Sequence, residues 1–249
     1  MEKVTIFGVW VYDTTLIHAT NQITSILEGD IQRNTVFFVN AHTLNLAISG
    51  PEYKITLNQA NYVFGDGTGV RMAFRIIRSR KLKDNVNGTD LIPRLLSQYS
   101  SKKKTCFLLG AKDGEIQRAA NYFDKYFCNW SLLGYHHGYI NSNESENEKA
   151  IFMINSLKPD LLLVGMGNPL QEDWIIKNVA DIDAKVIIAV GGLFSYWSDD
   201  LHRAPAWIRS IGFEWLHILL KQPFKWKRYL IGNFKFMYRV FLEKFKNDR

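Results

Sequence analysis

A chain of 249 residues, 47% of them hydrophobic, is long enough for one sizeable core with an appendage, and no run of 18 apolar residues reads as a membrane-spanning helix. The opening MEKVTIFGVWVYD carries an early acid and no small-residue cleavage pattern, which argues against a signal peptide. Cys106 and Cys128 fit no metal or redox spacing, so the expectation is a soluble protein of a reducing, intracellular compartment with Cys106 as a buried thiol. The formal charge of +7 is uneven: residues 202–249 hold 11 Lys and Arg against 3 Asp and Glu, and the preceding residues hold 20 against 21. The excess sits in an aromatic-rich tail, which points to a polyanionic surface as its partner.

In chain order, TIFGVWV reads as a strand and the stretch from about Thr14 to Leu27 as a helix. TVFFVN is a short strand ending at Asn40, and HTLNLAIS a short helix. ANYVFGDGTGV is strand-like and then turns on three glycines. VRMAFRIIRS continues as a helix with Met72, Phe74 and Ile76 or Ile77 available for packing. TDLIPRLLSQYS is a helix with Thr89 or Asp90 as its N-cap. KTCFLLGAKDGEIQRAANYFDKYF reads strand, Gly110 turn, helix. The polar segment around GYHHGYINSNESENEKA reads as a loop passing into the helix EKAIFMINSLK. PDLLLVGMGNPLQEDWIIKNVA is again strand, turn, helix, and AKVIIAVGG a strand ending in two glycines. Short apolar strands alternating with amphipathic helices predict an α/β fold around a buried, mostly parallel sheet over residues 1–200, with residues 201–249 as a separate helical appendage.

Such sheets bind ligands beyond the carboxyl ends of their strands. That rule gathers Asn40, Asp66, Gly110, the turn Gly167–Gln171 and the segment Gly191–Ser195 at one edge. GMGNPLQEDW lacks the third glycine of a dinucleotide loop, and Pro169 already opens a helix. It reads either as an ordinary turn with a solvated Gln171–Glu172 pair, or as a turn that aims N–H groups and the Gln171 amide at a nucleotide or sugar. Asp66, between two glycines after an apolar strand, is a candidate general base on a hydroxyl, or else a turn aspartate bonded to its own backbone. Asn40 is an N-cap or a ligand of a sugar hydroxyl. His136 and His137 are adjacent, without helical spacing or a cysteine, so no metal site is expected.

The tail divides at Pro223 into two helices. In the second, Trp226, Leu230, Phe234, Met237, Phe241 and Phe245 fall on one face, and Lys225, Arg228, Lys235, Arg239 and Lys246 on the opposite face. This is the pattern of a helix lying in an anionic membrane interface; a helix docked on the core with a solvated basic face is the plainer alternative, and an oligomer contact a third. Nucleic acid is not expected as a partner, because the aromatic rings lie away from the cations.

Taken in order, DGTGV, NGTDL, FLLG, PDLLLVGMGNPLQE, VGGLF, RAPAWI, GFEWL and QPFKWKRYL resemble the WecG/TagA/CpsF glycosyltransferase family from about Val4 to Leu230. The resemblance implies a Rossmann-like domain with a C-terminal membrane-associating appendage, peripheral on the inner face of the plasma membrane. It implies inverting, metal-independent transfer from a UDP-sugar to an undecaprenyl-diphosphate-type lipid saccharide in surface polysaccharide synthesis. No cofactor is expected; the sugar would be N-acetylmannosamine, its uronic acid, or a hexose such as glucose. Oligomeric state is left open, a homo-oligomer included. Asp66 falls on the family's base, Asn40 on its strand-end asparagine, and Gln171 on the glutamine after the Gly-x-Gly-x-Pro turn. Gly165, Gly167, Gly110, Gly191 and Gly192, with Gln171, would bind substrate, and Lys225, Arg228 and Arg203 would face the lipid diphosphate or membrane. Phe38, Asn85, Ser195 and Ile218 depart from the family pattern. Those departures support the alternative of a non-catalytic, UDP-sugar-binding adaptor; an NAD-dependent oxidoreductase is disfavoured by the missing glycine.

Overall fold

The structure, a computed structural model, describes residues 1–30, 33–99, 104–140, 143–205, 208 and 214–247. The chain opens with β1 (Glu2–Ile6) and β2 (Val9–Asp13), an antiparallel hairpin. The sequence reading has one strand here. Phe7 and Gly8 break it, because both adopt positive φ (53° and 78°), the backbone of a two-residue turn whose twist suits a hairpin.

The remaining elements are α1 (Leu16–Glu28), β3 (Asn34–Val39), α2 (Ala41–Ser49), α3 (Pro51–Gln59), β4 (Tyr62–Gly65), α4 (Thr68–Arg78), α5 (Gly88–Gln98), β5 (Lys104–Gly110), α6 (Asp113–Tyr126), β6 (Trp130–His136), α7 (Glu144–Leu157), β7 (Leu161–Gly165), α8 (Leu170–Asn178), β8 (Val186–Ala189) and α9 (Leu193–Trp197). The appendage supplies α10 (Glu214–Lys221), short turns at Pro223–Lys225 and Lys227–Ile231, and α11 (Gly232–Asn247). The sheet order is β1-β2-β4-β3-β8-β7-β5-β6, with every pair parallel except β1–β2. The expected α/β fold with a mostly parallel sheet is what the chain adopts.

Strands β3, β7 and β8 are buried at every position, as strands covered on both faces must be. Their side chains alternate between two cores. Phe37, Val39, Leu162, Val164, Ile187 and Ala189 face one core, with α2, α3, α4, α7, α8 and α11. Val36, Phe38, Leu161, Leu163, Val186 and Ile188 face the other, with α1, α5, α6 and α9. Cys106 is buried in the second core and its burial pushes the thiol's pKa up.

Several expectations shift. Helix α3 has no counterpart in the sequence reading; Gly50 ends α2 and Pro51 starts the next helix at once. Part of the expected loop, Gly134-Tyr135-His136, belongs to edge strand β6, which is only half buried and so lacks an apolar run. The N-cap of α5 is Asn87, not Thr89 or Asp90: its Oδ1 accepts from the Asp90 N–H at 2.9 Å and from the Thr89 hydroxyl at 2.7 Å. Met72 is 46% exposed, and α4 packs instead through Val70, Ala73, Phe74 and Ile77.

The appendage reading also changes. Helix α11 docks on the first core through Phe236 and Val240, which the sequence reading did not single out. At roughly 100° per residue these two lie between the aromatic face and the cationic face. Arg239, expected on the solvated basic face, instead donates to the Asn45 carbonyl (3.0 Å), to Asn45 Oδ1 (2.9 Å) and to Ser49 Oγ (2.8 Å). Asn45 Nδ2 in turn donates to the Gly232 carbonyl at 2.7 Å. The aromatic face remains outside: Phe234 is 84% and Phe245 67% exposed, with Trp226, Leu230 and Phe241 also exposed and Met237 partly buried. Among the described residues, no helix is long and apolar enough to cross a membrane.

Candidate active site

In the β3–β4 register Val39 faces Gly65, so Asn40 and Asp66 are the next residues along two adjacent parallel strands. The Asp66 N–H donates to the Val39 carbonyl at 2.8 Å, extending the ladder past the strand ends. The loop before α5 brackets Asp66: Val86 N–H donates to the Gly65 carbonyl at 3.1 Å, and Asn85 Oδ1 accepts the Gly67 N–H at 2.6 Å. Gly67 has φ +89°, and a side chain there would meet no atom within 4 Å. The turn that carries Asp66 is therefore held on both sides and opens on empty space at Gly67, and Asn85, a departure from the family pattern, has a definite task in that turn.

Asn40 is an N-cap. Its Oδ1 accepts from the N–H groups of His42 (3.0 Å) and Thr43 (3.1 Å) and from the Thr43 hydroxyl (3.2 Å). Its Nδ2 has no hydrogen-bond partner among the described residues, so the capping bond fixes the amide with its donor end unspent. The two alternatives for Asn40 are thus compatible: the oxygen caps and the nitrogen can serve a ligand. His42, in the same turn, has its pKa pushed down to about 4 by burial and, secondarily, by the positive charge of Arg228. It is neutral at pH 7. Arg228 of the appendage is thus near enough for its charge to act on His42, and its Nε is buried without a hydrogen-bond partner among the described residues.

The expected glycines divide into two kinds. At Gly110 a Cβ would come 2.2 Å from the Gly165 carbonyl oxygen, and at Gly165 it would come 2.7 Å from the Phe194 ring. These two are required by close packing. At Gly167 (φ +81°), Gly191 (φ +56°) and Gly192 a side chain would meet nothing within 4 Å. Those three line open space at the carboxyl ends of β7 and β8.

Gln171 and Glu172 overturn the expectation of a solvated pair: they are 2% and 0% exposed. Gln171 Oε1 accepts from the N–H groups of Gly167 (3.2 Å) and Gly191 (3.0 Å), and Nε2 donates to Glu172 Oε1 at 2.7 Å. The Gln171 amide therefore ties the two open turns together from behind instead of pointing into the crevice. Glu172 also accepts from Asn168 Nδ2 at 2.6 Å and from the Tyr53 hydroxyl at 3.0 Å. Burial raises its pKa to about 7 against the pull of these donors. Burial and the neighbouring carboxylate push the Tyr53 hydroxyl pKa up in turn.

Arg203 lies at the start of α5, its Nη1 donating to Asp90 Oδ1 at 2.6 Å and to the Thr89 carbonyl at 3.3 Å. The side chain of Lys225 and residues 206, 207, 212 and 213 of the RAPAWI and GFEWL motifs lie outside the described residues. Phe38 is 7% exposed, packed on Gly88 and on the Phe64 ring, so it faces the core and not a sugar. Ser195 Oγ donates to Glu115 Oε1 at 2.6 Å. Glu115 escaped the sequence reading because nothing in its helix marks it; the pairing exists only in three dimensions.

His136 and His137 converge on Glu146, with each Nε2 at 3.6 and 3.8 Å from Oε2. Glu146 Oε1 is held by Lys149 at 2.6 Å, which lowers the carboxyl pKa. Tyr139 N–H donates to His137 Nδ1 at 3.3 Å, so a neutral His137 carries its proton on Nε2, toward the carboxylate. Metal ligation by Nε2 would require that proton to move and the Tyr139 contact to be lost.

A family profile described as "Glycosyl transferase WecG/TagA/CpsF family" matches residues 4–249. The chain is 33% identical over 245 residues to an N-acetylglucosaminyldiphosphoundecaprenol N-acetyl-beta-D-mannosaminyltransferase of Staphylococcus aureus strain MRSA252, covering 96% of this chain and 92% of that protein. Proteins of the same name from strains MW2 and NCTC 8325 / PS 47 are each 32% identical over 244 residues, with the same coverage. A match that begins in the first strand and runs through the appendage leaves no part of the fold unaccounted for, and the chain belongs to the WecG/TagA/CpsF family of glycosyltransferases.

Proposed function

We propose that this glycosyltransferase moves a sugar from a UDP-sugar to a lipid-diphosphate-linked saccharide with inversion of configuration and without a metal ion, in bacterial surface polysaccharide synthesis. The observation that carries the reading is the pairing of Asp66 and Asn40 on adjacent strand ends, along the same sheet edge as the open turns at Gly191 and Gly167 that follow β8 and β7. The Asp66 carboxylate takes the proton of the acceptor hydroxyl, whose oxygen attacks the anomeric carbon from the face opposite UDP. Asn40 Nδ2 is positioned to bind a sugar or phosphate oxygen beside it. The N–H groups of Gly167 and Gly191 are engaged by Gln171 and so do not serve the leaving group. The charge of the diphosphates therefore falls to cations, Arg228 foremost and Lys225 with it. The names of the relatives make N-acetylmannosamine the first donor sugar to test and N-acetylglucosaminyl-diphosphoundecaprenol the first acceptor.

The exposed aromatic face of α11, with Lys227 and Lys235 also exposed, fits a peripheral position on an anionic membrane, at the cytoplasmic face where UDP-sugars are made. The test of the whole reading is a panel of UDP-N-acetylmannosamine, its uronic acid and UDP-glucose with a short-chain acceptor analogue, read by UDP release and product mass with and without EDTA. UDP release with a β-linked product, unaffected by EDTA, is expected. Loss of turnover in EDTA that added metal restores would reject metal independence, and no turnover with any donor would reject the donor class.

A further inference from the structure

The Gln171 side chain has two nearly equal ends, and only its surroundings decide which faces the glycine turns. On one side lie two donors, the N–H groups of Gly167 and Gly191; on the other lies Glu172 Oε1. Glu172 Oε1 also takes the Asn168 Nδ2 hydrogen bond at 2.6 Å, so it acts here as an acceptor. It therefore demands the Nε2 end, and the oxygen is left to bridge the turns. With the carboxylate removed, Nε2 would be buried without its acceptor, the amide would turn to seek another, and the bridge would be lost.

We propose that Glu172 is a positioning residue for the donor side of the crevice: by accepting from Gln171 Nε2 it holds Oε1 toward Gly167 and Gly191, and so fixes the gap between the two open turns. This rests on the reading of those turns as the donor-side wall of a transferase. Three features support it. Glu172 is fully buried, with its carboxylate taken up by protein donors. The donors on it come from two separate elements, Tyr53 on α3 and Asn168 and Gln171 in the β7–α8 segment, so its place is set by the fold and not by the crevice. The two N–H groups that its partner bridges are 24 residues apart in sequence, at the ends of different strands, and Gln171 is the side chain that accepts from both.

A glutamine at 172 keeps an acceptor at the Oε1 position and turns its other end into a donor that the Tyr53 hydroxyl can accept. It should preserve the bridge, whereas alanine should not. The experiment measures amide hydrogen exchange at Gly167 and Gly191, with Leu163 and Ile188 as core controls, and donor KM and kcat by UDP release. In Glu172→Ala, protection of both glycine amides should fall at least tenfold, with the core amides unchanged, and donor KM should rise about tenfold or more with kcat within threefold. Glu172→Gln should stay within threefold of the unmodified enzyme in every quantity. If the alanine variant does not fold, Glu172→Met fills the space without a comparable acceptor and carries the same expectations. Unchanged protection at the two glycines, protection lost equally throughout the core, or a glutamine variant as impaired as the alanine one would overturn the proposal. Loss of protection confined to the two glycines, in a protein whose unmodified form turns over no UDP-sugar, would overturn the transferase reading and leave the positioning relation standing.

Discussion

Asn85 accepts the backbone N–H of Gly67 at 2.6 Å, and through it the turn that carries Asp66 is fastened to the loop before α5. Asn85 is itself held by its neighbour, since Asp84 Oδ1 accepts the Asn85 N–H at 2.8 Å and Asp84 Oδ2 accepts the Leu16 N–H at 3.0 Å. Asn85→Ala should leave the Gly67 N–H without its acceptor and let the turn move. The expected result is a fall in kcat of about tenfold with donor KM little changed, since a small misplacement of a base is costly. In an Asp66→Asn background the same substitution should add almost nothing, because the two act as a unit. Full additivity in that double-mutant cycle would show that Asn85 acts elsewhere.

Asp66→Asn is the more direct test of the proposed base. The two side chains are nearly the same size, and Asp66 is only half-buried at a strand end. The melting temperature should hold and UDP binding, followed calorimetrically, should persist. Transfer should drop by roughly 10²–10⁴, the range for removal of a general base. Turnover near that of the unmodified enzyme would remove Asp66 from the chemistry.

His42 gives a pH signature. Its pKa is about 4 in the folded chain against an ordinary value near 6.5, because burial and Arg228 disfavour the cation. As pH falls below about 6.5 the unfolded chain takes up the proton first. The contribution is therefore full above that pH and is lost as pH falls toward 4. It should amount to about 1–2 kcal/mol once solvent screening is allowed for. Thermal melts between pH 4 and 7 should show His42→Gln losing less stability on acidification than the unmodified protein. In Arg228→Met, an NMR titration should find the His42 pKa moved up part of the way, since burial is the larger cause. A His42 pKa that stayed put would mean that the Arg228 charge does not act on His42.

What the sequence made legible follows from what is local. Gly67, Gly167 and Gly191 announce turns at strand ends because glycine tolerates positive φ, and the parallel-sheet rule then places Asn40 and Asp66 on one edge. What it hid is pairing across distance. Nothing in the letters QE says that both side chains are buried, because the hydroxyl that makes burial tolerable belongs to Tyr53, on a helix that no periodicity announced. Strand β6 hid for a different reason: at a sheet edge its burial is partial, and Gly134 interrupts it where a Cβ would lie 3.0 Å from the Phe107 ring. In α11 a single apolar face was read where the helix has two, one docked and one outward, because an apolar residue scores alike on either.

That last distinction decides how the membrane reading should be tested. Removing the tail would strip Phe236 and Val240 from the core, so released protein could simply be unfolded protein. Phe234 and Phe245 are instead outward, at 84% and 67% exposure, and replacing both with serine should leave the melting temperature within a few degrees. Co-sedimentation with phosphatidylglycerol vesicles should fall severalfold, because each ring lost from an interfacial helix removes buried apolar area. Phe236→Ala is the complementary variant: it should cost roughly 3–5 kcal/mol of stability as a buried aromatic truncation. At a temperature where it remains folded, it should bind vesicles as the unmodified chain does. Equal vesicle binding by the double serine variant would mean that the outward rings of α11 do not carry the lipid contact, which would then rest on the positive charge of the tail.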